Sequence, residues 1–151
     1  MAVLAQSMLA TITEAQVSAW PVSGTGLEPE IRQVPAHLVP LVEQLVQLGS
    51  LRPGWNSYNA RAVTATALRG ALQLLVELDW QGALPTVSPT AAGGIQLEWG
   101  GDDYGVELEI RPDGTIAVLV RGDEFTEWES EITGAADRRL QEAMIWAEKL
   151  A

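Results

Sequence analysis

Apolar residues recur in this chain with two different periods, and the change from one to the other at Gly82 decides what it can fold into. Before Gly82, Leu38, Leu41, Leu45 and Leu48 fall at helical spacing and predict a helix over 37–48. Leu68, Leu72 and Leu75 do the same for 65–78. Pro35 and Pro40 suit a first turn, where a missing N–H costs little. Gly49 stops the first helix, and Thr64 is placed to cap the second. Gly70 weakens that second helix by about 1 kcal/mol relative to Ala, unless close packing needs the missing side chain.

After Gly82 the period is two. Ile95, Leu97 and Trp99 alternate with Gln96 and Glu98, and Val106, Leu108 and Ile110 alternate with Glu107, Glu109 and Arg111. Pro112-Asp113-Gly114 is a turn, since Pro presets φ and Gly accepts φ > 0. Residues 115–121 are β-branched and apolar on both faces, which reads as the central strand. Residues 125–130 alternate again, with Trp128 opposite Glu127 and Glu129. Short connections make this an antiparallel meander of three or four strands. Thr133 is placed to cap a last helix running to about Lys149, with Leu140, Met144 and Ala147 aligned. The expected fold is α+β: a two-layer sandwich of two N-terminal helices, the meander and a C-terminal helix, with helices covering one sheet face. Residues 1–35, punctuated by Pro21-Val22-Ser23-Gly24-Thr25-Gly26, read as a loosely structured arm with Trp20 as its anchor. Residues 36–151 read as one domain, and an apolar fraction of 47% fills one core.

Composition narrows the chemistry. The absence of cysteine excludes disulfides, thiol catalysis and thiolate zinc sites, and a single histidine, His37, leaves no His-based triad. No phosphate-binding glycine-rich loop precedes a helix, so no nucleotide or other cofactor is expected. No apolar run approaches the roughly 20 residues that span a bilayer. The first basic residue is Arg32, whereas a secretory signal starts positive, so a cytoplasmic location is expected. Residues 1–75 hold four acids and four bases, and residues 76–151 hold sixteen acids and five bases, so the entire net charge of −11 lies in the second half. Direct nucleic-acid binding, which rests on Lys and Arg neutralising phosphates, is not expected.

Three constellations are candidates for function. If the apolar strand positions face the helices, the period of two turns Glu98, Glu107, Glu109, Glu127 and Glu129 the other way, with Arg111 and Arg121 as partial counterions. Such a face keeps a protein in solution; it also suits docking on a basic protein surface. The second is the loop Gly54-Trp55-Asn56-Ser57-Tyr58-Asn59-Ala60, in which Trp55 and Tyr58 either plug the core edge or present a contact surface. The third is Gly100-Gly101-Asp102-Asp103. Paired Asp in a hairpin resemble the Mg²⁺-holding turn of palm-type polymerase and cyclase domains, but the expected Asp on an earlier strand and a basic phosphate-binding set are missing.

The aromatic loop, the leucine-rich helix after it, Pro85-Thr86-Val87-Ser88-Pro89 and Gly94-Ile95-Gln96-Leu97-Glu98-Trp99 together resemble a group of small bacterial proteins. Their pattern is a Gly-Trp-Asp-Gly-Tyr-x-Ala loop, a helix, a Pro-x-Val-x-Pro stretch and a Gly-x-Ile/Val-x-Leu-Glu-Trp strand. The likeness covers about residues 51–120 and departs at Asn56 and Ser57, where Asp and Gly are usual. It implies one domain with this strand order and brings no known activity. The functional expectation is therefore a non-enzymatic acidic binding or accessory protein, inhibitor- or antitoxin-like, that docks on a basic protein partner. The alternatives are a metal-dependent nucleotidyl- or phosphoryl-transfer enzyme using Asp102 and Asp103, and a homo-oligomer or assembly subunit bridged by Trp20 and the arm.

Overall fold

Val34 and Pro35 are already buried where the computed structural model begins to describe the chain, which it does over residues 34–123 and 126–150. The expected arm and its anchor Trp20 lie outside the described residues. A 3₁₀ turn, Ala36–Leu38, leads into α1 (Val39–Gly49). Pro40 explains this entry: it lacks the N–H that would bond the Ala36 carbonyl in an α-helix, and the Val39 N–H bonds it instead. α2 (Ala65–Glu77) begins as expected, with the Thr64 side chain accepting from the Ala67 N–H at 3.1 Å. The same hydroxyl donates to the Pro112 carbonyl at 2.8 Å, which ties the helix start to a turn of the sheet. A Cβ on Gly70 would stand 3.1 Å from Ile110 Cγ2, so the missing side chain is the condition for α2 lying this close to the sheet.

Five strands follow: β1 (Thr86–Pro89), β2 (Ile95–Gly100), β3 (Gly105–Ile110), β4 (Ile116–Arg121) and β5 (Trp128–Ile132). They form one antiparallel sheet in the order β1-β2-β3-β4-β5. The strand count of three or four is therefore corrected to five. β1 escapes a reading by period because it is four residues long and holds one inward apolar side chain, Val87, before Pro89. Proline is tolerated on an edge strand, and β1 is an edge. Its addition moves the centre of the sheet from 115–121 to β3. β5 begins at Trp128, later than the expected 125–130: the Asp123 carbonyl takes the N–H groups of Thr126 and Glu127, and residue 125 lies outside the described residues.

α3 (Arg138–Leu150) closes the chain. Thr133 does not cap it. Asp137 does: its carbonyl accepts the Gln141 N–H and its carboxylate accepts the Arg139 N–H at 2.9 Å. The second carboxylate oxygen takes the Thr133 N–H at 3.1 Å. The bonds from Thr133 and Arg139 hold the Asp137 carboxyl below the usual carboxylate range.

All three helices pack against one face of the sheet, α1 over β1, α2 over β2 and β3, and α3 over β2 to β5. Ile95, Leu97, Trp99, Val106, Leu108, Ile110, Val118 and Val120 are buried there with the leucines of α1 and α2 and with Leu140, Met144 and Ala147. At one end Trp99 and Trp80 meet edge to face, 5.4 Å between centroids. Both indole N–H groups donate to the Ala83 carbonyl at 2.9 Å. No helix among the described residues is long and apolar enough to cross a membrane.

Candidate functional site: the open face of the sheet

No helix among the described residues packs on the second sheet face. The strand register lays its side chains out in two rows. One runs Thr86, Glu98, Glu107, Leu119, Glu129, and the other Ser88, Gln96, Glu109, Ala117, Glu131. Four of the five expected carboxylates, Glu98, Glu107, Glu109 and Glu129, therefore share this face. Glu127 precedes β5 and is exposed at its margin. Glu131 takes a place on the face that the sequence reading did not assign, because β5 runs two residues further than expected. Between the carboxylates of β3 and those of β5 lie Leu119, half-buried, and Ala117, only 7% exposed.

Glu98 and Glu107 are direct cross-strand partners, an arrangement that like charges disfavour. Arg121 resolves it. Its Nη2 donates to Glu98 Oε1 at 2.8 Å and to the Gly101 carbonyl at 3.2 Å, and its Nη1 donates to Glu107 Oε2 at 2.9 Å. The Arg121 side chain is about one-fifth exposed, so the attraction to both carboxylates is less screened than in a fully solvated pair. It lies across Gly105, where a Cβ would come within 2.8 Å of Nη2. Glycine at 105 is thus the seat of the clamp. On the far row Arg111 donates to Glu131 at 2.6 Å. That bond, and then the Glu131 charge, raise the Arg111 pKa above its ordinary value.

After these pairings the remaining acidity is concentrated at Glu109 and Glu129, on either side of Ala117 and Leu119. Neither forms an ion pair with a cation among the described residues. The surface is acidic on both sides of the half-buried Leu119, with one arginine clamp at its end.

The other candidates are placed apart from it. Trp55 donates its indole N–H to the Arg61 carbonyl at 3.0 Å and is half-buried, which fixes the loop. Tyr58 is 81% exposed and is the outward part of that loop. Asn56 accepts the N–H groups of Tyr58 and Ala60, at 3.0 and 3.3 Å, through its side-chain oxygen, a task a carboxylate performs equally well. Ser57 has φ +66°, the left-handed conformation that favours glycine. Trp55, Asn56 and Ser57 thus serve the closure of the loop, and the Tyr58 ring is left outward.

Asp102 and Asp103 are exposed in the β2–β3 turn, which is closed by the Gly101 N–H on the Tyr104 carbonyl at 2.8 Å. Gly100, at φ +86°, and Gly105 serve the turn and the Arg121 seat. Among the described residues no group of three or more His, Asp or Glu side chains converges on a metal-sized site. Millimolar Mg²⁺ is expected to leave the thermal midpoint unchanged within error, because a ligand stabilises only through preferential binding to the folded chain. A saturable shift of several degrees, absent in Asp102→Asn/Asp103→Asn, would bring the phosphoryl-transfer reading back.

Comparisons with families of known proteins, with curated proteins and with solved structures find no match for this chain.

Proposed function

We propose that the protein is a non-enzymatic binding module whose open sheet face docks on a basic surface of a partner protein. The observation that carries this reading is the layout of that face, with carboxylates on both sides of β4: Glu109 and Glu131 in one row, Glu107 and Glu129 in the other, and the half-buried Leu119 between the second pair. Glu98, Glu107 and Glu131 already have Arg partners, whereas Glu109 and Glu129 stand on β3 and β5 with β4 between them and are placed to meet Arg or Lys of a partner on either side of Leu119. Steering by the net charge of −11 speeds such an encounter and makes it sensitive to salt.

Charge reversal at Glu109 and Glu129 is the test that leaves the Arg121 clamp intact, which reversal of Glu107 does not. The wild-type chain and the double Lys variant are used to capture partners from the native host at low and high salt. Association with the purified partner is then followed by surface plasmon resonance, with circular dichroism as folding control. The variant is expected to associate about tenfold more slowly at low salt, with the gap closing as screening shortens. Wild-type association rates at every salt concentration in a folded variant would move the docking site off this face.

A further inference from the structure

Where the end of α2 meets α3, on the helix side of the molecule, a groove of about 380 Å³ opens. Leu78, Trp80, Met144 and Ile145 give it apolar walls. Glu77, Asp79 and Glu148 stand around it, and no Lys or Arg among the described residues lines it. We propose that this groove seats a basic segment of a partner protein, with one apolar side chain in the groove and Lys or Arg on either side. The proposal shares no residue with the sheet face and stands or falls separately.

Charge complementarity selects the occupant. Glu77 and Asp79 take neutral amides as partners, from Gln73 at 3.0 Å and Gln81 at 2.9 Å, so their charge is left for a cation to meet. The chain's own residues 1–33 hold Arg32 against Glu14, Glu28 and Glu30, and a second copy carries −11, so both are repelled from an acidic rim. Ile145 of the groove wall is 56% exposed, a large aliphatic side chain open to a contact. The next residue, Trp146, lies outside the groove lining and has the Lys149 ammonium over its ring, 5.1 Å from the centroid.

Asp79 adds to the same case. The α2 C-terminus is closed by the Asp79 N–H on the Val76 carbonyl and the Trp80 N–H on the Leu75 carbonyl, with Asp79 at φ +50°. Asp is among the few residues other than glycine that adopt this conformation. Its carboxylate stands at the negative end of the helix, where a cation of the ligand would offset it.

The probe is a synthetic amphipathic peptide of Leu and Lys, compared with a counterpart in which every Lys is Gln. Binding to the full chain is followed by amide chemical shifts and by tryptophan fluorescence. The Lys peptide is expected to shift residues 77–81 and 141–148. Asp79→Asn/Glu148→Gln, which preserves shape and the turn, is expected to weaken it about fivefold, as two partly exposed carboxylates allow. Glu109→Lys/Glu129→Lys is expected to leave the shifts at 77–81 and 141–148 in place. The proposal is overturned if the shifts fall only on the sheet, if the Asn/Gln variant binds as tightly as wild type, or if the Gln peptide binds as well as the Lys peptide.

Discussion

Replacing Trp99 by alanine is expected to lower stability by about 3–5 kcal/mol, the cost of a large cavity in a packed core. The indole is 3% exposed at the end of β2, opposite Val106 and against Trp80. Its N–H shares the Ala83 carbonyl with the Trp80 N–H, so the loss of one ring also loosens the support of the other. Trp99→Phe retains an aromatic ring but no donor, and its expected cost is smaller, about 1–2 kcal/mol. Urea unfolding with linear extrapolation measures both. Near-wild-type stability of Trp99→Ala would mean that position 99 does not face the helices. By the period of two it would then remove Glu98 and Glu107 from the open face.

Arg121→Met is expected to cost about 2–3 kcal/mol. The methionine keeps the stem that crosses Gly105 but loses charge-assisted bonds to Glu98 and Glu107, each of the class worth roughly 1.5–3 kcal/mol. It also leaves two carboxylates facing each other on paired strands. The total is held below the simple sum because the group is partly exposed and its Nε, shielded from solvent, has no partner even in the wild type. Arg121→Lys rescues only part, since an ammonium does not bridge two carboxylates as a planar fork does. Adding Glu98→Gln and Glu107→Gln to Arg121→Met is expected to recover most of the loss, and a double-mutant cycle reads the coupling. A loss unchanged by the glutamines would assign Arg121 a packing role only.

The sequence discloses some parts of this molecule and hides others for physical reasons. β2, β3 and the helices carry their burial in their periodicity, so their inward sets are legible residue by residue. β1 hides because an edge strand has few buried positions and tolerates proline. The start of α3 was read from Thr133, a good capping residue, when Asp137 four residues on holds the Thr133 N–H and the first turn alike. At the candidate site, alternation places four of the expected glutamates together. What alternation does not convey is pairing across strands. That Glu98 meets Glu107, that Arg121 reaches both, and that Gly105 must lack a side chain beneath the guanidinium all depend on register. The groove beside α3 is still less accessible, since it joins Asp79 and Glu148 from helices far apart in the chain.

Every pairing in the sheet is between strands adjacent in sequence. The ladder can therefore assemble hairpin by hairpin, each step closing a short loop whose entropy cost is small. Sheets that must first bring distant segments together wait far longer for their first rewarding contact. In this chain the helices that precede the sheet and the one that follows it need only settle on a surface already taking shape. Strand pairing in this sheet is thus local from end to end, and the long-range closures are left to the packing of helices on its face.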